Sequence, residues 1–470
     1  MTRVPIPLVR GEGKAKSQFV SSRTLVNCFI EYSSGRPALY GGPGMSLRKT
    51  MTTGHIRGIK RFGSVLLVVG GNRLYTLTEA GTETDRGEVL GASPVVITDN
   101  GTQAVIVAED ASKSYYWDGT TFGEITDADL LPAASADFID QYIVFGVKDT
   151  GRFQISALAD ATSIDALDIA TAETRPDIIR RVFVDNRDLL LCGADTIEGQ
   201  YNSGAADFPF ERSQLFFEVG LAGTHCIAAV DNTVVFLAAD KEGGLTVRAI
   251  RGGTALIVST AAIINTIESW DTPGDAQAFS FGFRNHKFWC LRHDDGCVVL
   301  DMSNPVAEDA WHVRKTYGTN TWSVAYAASI WDSIILADAD TAKIYTLDAD
   351  THAEASTDLV RELVTEAMGP SGSYFTLNAV ELLIEPGVGV LSGQGSDPEV
   401  WLQLSRNGGK TYGARMTRSI GERGNYEKRI VWGGGFGQFR PEGGVIKIGC
   451  SDPVALVIKG AFADFTVDNT

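Results

Sequence analysis

One phrase recurs along this chain about every 40 to 50 residues: an apolar β-branched run, a Gly/Asn/Asp turn, then a second strand-like run, often carrying an aromatic. The first copy is Val65-Leu66-Leu67-Val68-Val69, then Gly70-Gly71-Asn72, then Leu74-Tyr75-Thr76-Leu77. The second pairs Ala104-Val105-Ile106-Val107-Ala108 with Tyr115-Tyr116-Trp117. Further copies begin near Tyr142, Leu189, Thr233, Phe288 and Ser333. A unit of this length cannot bury its own apolar face and must stack on copies of itself. Four-stranded blades arranged radially match the period. The chain is therefore expected to be all-β: a β-propeller of six or seven blades over 51–350, with an N-terminal extended arm and first strand over 1–50. A crossover or linker over 351–372 would lead to a smaller C-terminal β-sandwich-like domain over 373–470.

The flanks carry their own signals. Residues 24–32 read as one strand, and Gly41-Gly42-Pro43-Gly44 forces a turn. Such an arm is suited to completing a blade or reaching a neighbouring subunit. Apolar spacing over 356–364 fits a short helix or an extended crossover, with helix the weaker reading. Beyond it, runs at 379–385, 400–405, 427–432, 444–448 and 454–458 read as strands of the second domain.

Bulk properties narrow the function classes. The chain has 470 residues, 44% hydrophobic, and 51 glycines that cluster between strands, as an all-β protein with many tight turns requires. No run of 18 apolar residues is present, so no membrane-spanning helix is expected, and the start does not read as a signal peptide. The six scattered cysteines fit small buried side chains in a reducing compartment. A net charge of −17 argues against sequence-specific DNA binding, which needs a basic surface. It leaves open DNA as a passenger along an acidic wall.

Four short patterns invite a chemical reading. Ser405, Asn407, Gly409, Thr411 and Tyr412 approximate an Asp-box, a hairpin whose side chains tie down their own loop. Its occurrence in sialidases raises a glycosidase reading, but one box is expected to be a structural hairpin. Cys290, His293 and Cys297 mimic zinc-ligand spacing, yet they fall on two arms of one hairpin and lack a fourth ligand. Asp294 with Asp295, Asp338 with Asp340, and Asp348 with Asp350 are expected to be solvated turns rather than calcium ligands. No nucleophile elbow, phosphate loop or His-Glu-x-x-His occurs, so no catalytic, cofactor-binding or metal residue is expected, and no cofactor. Finally, Arg3, Arg10, Lys14, Lys16 and Arg23 make a basic arm on an acidic body. They are the candidate subunit or partner contacts, forming a strap for an acidic face of an adjacent copy.

Several segments, in order, resemble one family. They are Pro7-Leu8-Val9-Arg10-Gly11-Glu12-Gly13-Lys14, Val26-Asn27, Leu39-Tyr40-Gly41-Gly42-Pro43-Gly44-Met45 and Gly220-Leu221-Ala222-Gly223-Thr224-His225-Cys226. Gly408-Gly409-Lys410-Thr411-Tyr412-Gly413-Ala414-Arg415 and Tyr426-Glu427-Lys428-Arg429-Ile430-Val431-Trp432 follow. Together the chain resembles the packaged-DNA stabilisation protein, or tail hub, of short-tailed bacteriophages. The glycine run after Trp432 departs from the family's more basic pattern.

The resemblance implies a non-enzymatic structural virion protein of the tail, made in the host cytoplasm. It implies a homohexameric ring below the head-to-tail adaptor protein that closes the channel on packaged double-stranded DNA and conducts it at infection. In related phages such a ring also seats a needle or plug and contacts tailspikes or fibres. The first alternative is a glycan-binding or glycan-cleaving tail propeller. The second is a host-encoded propeller scaffold that presents loops to protein partners.

Overall fold

A computed structural model describes residues 2–18, 20–172 and 175–468. Seven antiparallel units form the body, each four strands deep, and in the fifth the inner strand is split into Gly220–Leu221 and Ile227–Val230. Blades 1 to 5 cover 56–88, 96–124, 133–171, 179–217 and 220–257, and blade 6 covers 277–313. Blade 7 combines three strands over 324–348 with Gly44–Thr50, which pairs with Lys343–Asp348 as its fourth strand, and the short strands Ala353–Glu354 and Thr357–Asp358 extend the sheet beyond it. The N-terminal stretch thus closes the ring, locking its two ends with backbone hydrogen bonds. The innermost strands of successive blades adjoin one another around the circle, and blade 7 returns to blade 1.

The repeated phrase has a direct physical cause. Each copy is the middle hairpin of one blade, and a middle strand is covered on both faces. Leu66 and Val68 pack toward blade 7, whereas Leu67 and Val69 pack toward blade 2. Equivalent cores fill the other interfaces, so the propeller has no single centre of burial. Among the described residues one α-helix occurs, Ala261–Glu268, capped by Thr260 and inserted between blades 5 and 6.

The sandwich is built from both ends of the chain. One sheet runs Cys28–Ser33, Arg36–Gly41, Val457–Val467, Phe375–Ile384, Ile430–Gly433, with Thr2–Ile6 also paired to Val457–Val467. The facing sheet continues blade 6 without a break. After Trp311–Val313 come Thr24–Val26, Arg361–Val364, Val445–Cys450, Glu399–Ser405 and Met416–Ser419. Leu8, Val9, Leu25, Ile30 and Trp432 meet in the core between the two sheets.

Two expectations change in detail. The 24–32 segment is not one strand: Asn27 adopts a left-handed φ of 54°, and the chain turns there from one sheet to the other. The 356–364 segment is extended, as preferred over helix, but Arg361–Val364 is an interior strand of the sandwich and not part of a linker.

Removing residues 1–23 is expected to expose the sandwich and spare the propeller. It deletes the Thr2–Ile6 strand and the buried Leu8 and Val9, but keeps the closing strand Gly44–Thr50. Hydrogen exchange should rise across 361–467 and stay unchanged in blades 2 to 4; uniform loss of protection would contradict this division.

Candidate functional site

Two places concentrate polar chemistry: a well on the propeller axis and the seam between blade 6 and the sandwich. The well holds about 1050 Å³ and takes residues from all seven blades, with eight carboxylates and four cations on its wall. Its cations are engaged in joining blades. At the same place on the inner strands of blades 1, 3, 4 and 7 the register slips by one residue, a β-bulge that re-aims a side chain. In blade 1 the bulged residue is Arg57, which is buried and donates to the carbonyls of Ser93, Gly71, Val89 and Leu90 at 2.7 to 3.1 Å. In blade 4 it is Arg180, donating to Leu221 O and Ala222 O of blade 5. Lys148 of blade 3 reaches back to Glu109 O of blade 2 at 2.9 Å. Arg292 of blade 6 spans Asp294 and, on blade 7, Asp340, at 2.7 and 3.0 Å.

Two histidines on the wall are held by their surroundings. Burial pushes His225 down to about 3, so it stays neutral. The His293 ring stacks on Trp270 at 5.4 Å, and its Nδ1 accepts from Asp295 N. Cys290 and Cys297 lie instead in the apolar core shared with blade 7, where burial raises both thiols. The hairpin thus separates the three side chains of the zinc-like pattern. Among the described residues no cluster of three or more His, Cys, Asp or Glu is arranged to hold a metal ion. Asp338 and Asp348 each accept the backbone N–H two residues on, at 2.9 Å.

The seam is assembled from the segments that carry the family resemblance. Val26 pairs in parallel with Val313, and the Asn27 side chain then satisfies three backbone groups on two segments. Its Nδ2 donates to Lys315 O and Val360 O at 2.9 and 2.8 Å, while its Oδ1 accepts from Lys315 N. Buried Asp309 of blade 6 accepts from Gly11 N at 3.1 Å and from the Tyr32 hydroxyl at 2.6 Å. Burial, together with that carboxylate, pushes Tyr32 up to about 12. Gly11 runs so close to the backbone of Glu308 and Asp309 that a β-carbon has no room. Buried Glu12 accepts from Leu25 N at 2.9 Å and Lys14 N at 3.2 Å.

The basic arm lies along its own chain. Arg3 pairs with Glu381, Arg10 with Asp309, Lys16 with Glu268 and Arg23 with Glu366. Lys14 is exposed. Pairs of this kind contribute about 0–1 kcal/mol each when exposed, so strand pairing and burial set the arm's course.

His286 gives the seam a charge-dependent clamp. Its Nδ1 lies 2.6 Å from buried Asp301 of blade 6, and its Nε2 lies 3.3 Å from Glu31 of the sandwich. Carboxylates only accept, so both contacts require the doubly protonated ring. Burial disfavours that cation, but Asp301 and Glu31 together outweigh it and hold the pKa above the ordinary value.

The Asp-box-like residues form a self-bracing hairpin on the sandwich. Gly409 N donates to Ser405 Oγ at 2.9 Å, Thr411 N to Asn407 Oδ1 at 3.0 Å, and Asn407 Nδ2 to Thr411 Oγ1 at 2.8 Å. Gly408 and Gly409 both sit at positive φ, 73° and 85°, which side-chain-bearing residues resist. Tyr412 is half-buried, and burial pushes its hydroxyl up to about 12. The motif therefore acts within the loop. Sequence reasoning missed Arg57 and Arg180. The available signal was an Ile-Arg pair opening two inner strands, Ile56-Arg57 and Ile179-Arg180.

Arg57→Met should cost about 3 kcal/mol in chemical unfolding, because it orphans buried carbonyls; a loss below about 1 kcal/mol would show that they find other donors. The His286 clamp should stabilise the wild type fully below pH ~6.5 and fade as pH rises through the raised pKa. His286→Gln should remove that pH dependence from the melting temperature. An unchanged profile would place the titration elsewhere.

A family model described as the β-propeller of bacteriophage P22 Gp10 matches residues 4–352, and one described as its β-sandwich matches 360–465. The chain is 26% identical over 300 residues to the tail hub protein gp10 of Salmonella phage P22, covering 58% of this chain and 60% of that relative's length. Among solved structures, virginiamycin B lyase from Staphylococcus aureus is similar at a TM-score of 0.42 and 13% identity, over 64% of this chain and 99% of that one. The WD40 domain of Toxoplasma gondii coronin gives 0.39 and 12%, over 74% and 89%. With both models matched in order on a propeller and a sandwich that share a sheet, the chain belongs to the bacteriophage P22 Gp10 family.

Proposed function

We propose that this protein is a structural, non-catalytic subunit of a phage tail hub, resident in the virion tail. In this reading six copies close a ring below the head-to-tail adaptor, retain packaged DNA and pass it out at infection. One observation carries the reading: a matched propeller and sandwich are welded by a sheet that runs unbroken from blade 6 to Met416–Ser419. A subunit that must transmit load between neighbours gains from such a weld, since no loose linker lets the domains swing. The relative from phage P22 is itself called a tail hub protein.

Electrostatics supports the passage of DNA. A net charge of −17 per copy lets carboxylates on a bore repel the phosphate backbone, so that DNA slides without being held. Adaptor, needle or plug, and tailspike or fibre are the partners this role calls for.

The test is the mass of the purified protein, alone and mixed with connector complexes that lack it. Six copies joining each connector is the expected outcome. A chain that ignores the connector would overturn the reading, and glycan binding by the same sample would favour a receptor-binding propeller.

A further inference from the structure

We infer that copies of this chain associate head to tail, the basic distal edge of one sandwich docking on the acidic outer rim of blades 2 and 3 of the next copy. This rests on the ring proposed above and names the surfaces that build it.

The charge of the chain is strongly segregated. Residues 51–372 carry 23 Lys and Arg against 46 Asp and Glu, whereas residues 406–440 carry eight bases against two acids. The basic stretch lies at the far end of the sandwich. Met416–Ser419 is the fifth strand beyond the outer strand of blade 6 in the shared sheet, which places it about 24 Å out at one strand spacing per step. Ile430–Gly433 ends the facing sheet, and the two edges are tied together by Trp432 Nε1 to Met416 O at 2.8 Å.

Arg429 at this edge is paired with Glu381, but among the described residues three other cations have no carboxylate partner. Arg418 donates to Val431 O and Thr417 O, and Arg415 lies over the Trp401 ring at 4.4 Å. Among the described residues neither of these, nor exposed Arg423, is paired with a carboxylate. Beside them two apolar side chains stand in solvent, Leu391 at 83% exposure and Tyr426 at 71%. Their loops are held together by Gly424 N to Gly387 O.

The complementary surface lies across the molecule. Blade 6 carries the sandwich, so in a seven-membered ring blades 2 and 3 are the farthest from it. Residues 89–171, which include both, hold thirteen acids and three bases; Glu109, Asp110 and Asp149 line the well, which leaves ten acids elsewhere on these blades. The outer strand of blade 3, Asp160–Thr171, is the longest in the propeller and has an open edge. It presents Asp165 and Asp168 on either side of Leu167, which is 84% exposed. Burial and the nearby Asp165 both raise the pKa of Asp168.

Each surface thus has the outermost strand of a sheet, bulged at 165–168 in blade 3, with unmatched charge of one sign and a large exposed apolar side chain. Within one copy they point apart and cannot meet. A second copy supplies the missing partner, and repetition of an unlike-surface contact closes a ring when the rotation allows. Charge sets register and encounter rate, while Leu167, Leu391 and Tyr426 supply the apolar centre.

Charge exchange tests the contact. Arg418→Glu with Arg423→Glu, and separately Asp165→Lys with Asp168→Lys, should each lower self-association and the number of copies per connector, by about tenfold or more in apparent affinity. A chain carrying all four changes should recover, since the signs are merely exchanged. All sites are exposed or at the rim, and an unchanged melting curve excludes misfolding as the cause. If the wild type joins connectors six at a time and the single-sided variants do the same, this contact is wrong and the hub reading stands. The contact is equally wrong, and the hub reading equally intact, if single-sided variants fail and the exchanged chain does not recover. If the wild type neither self-associates nor joins connectors, both fall.

Discussion

The outer strand of blade 6 has a second neighbour, and most of this architecture follows from that. In a propeller the outermost strand of each blade leaves a row of backbone groups unpaired. Here Trp311–Val313 is instead continued by Thr24–Val26, and a propeller sheet becomes a sandwich sheet. Asn27 makes this possible at one residue. Its left-handed backbone redirects the chain, and its amide occupies the carbonyls and N–H that the turn exposes. Gly11 and Glu12 then press the arm onto blade 6, and Gly44–Thr50 goes on to complete blade 7. One stretch of about fifty residues therefore closes the ring, seeds the second domain and welds the two. The arrangement joins residues hundreds apart, as where Thr2 pairs with Phe465, which makes late and slow docking of the ends the expected folding order.

What was legible in the sequence is what burial on two faces imposes. The seven hairpins stood out because a strand between two blades must be apolar at every position, as in Val65 to Val69 and Ala104 to Ala108. The inner strands did not, since they tolerate Lys60, Asp99 and Asp137, whose side chains bridge to neighbouring blades, and a bulge interrupts four of them. The N-terminal residues read as a basic arm because a five-residue strand shows little periodicity and its partner lies at the other end of the chain. The residues that join blades were equally hidden: an arginine reads as surface until a bulge turns it inward, as at Arg57. By contrast the Asp-box-like loop was legible, because its hydrogen bonds run between residues four apart or fewer.

The acidity of the propeller has a local origin before it has a global use. Seven blades need many tight turns, and aspartate is among the side chains best able to hold one, by accepting backbone N–H groups two or three residues on. Asp118 does so for Thr120 and Thr121, Asp160 for Thr162, and Asp348 for Asp350. These bonds hold the three carboxyls below the ordinary range. Their contribution is therefore present at neutral pH and lost as pH falls through the depressed values. Negative charge thus accumulates wherever blades turn. The sandwich, with fewer and longer connections, is under no such demand, and its distal edge holds arginines instead. A molecule whose turns force one sign onto its body, and whose added domain carries the opposite sign at its far end, is polar along its length. Polarity of that kind favours unlike ends meeting over like ends, which is the condition for a directed ring rather than a symmetric pair.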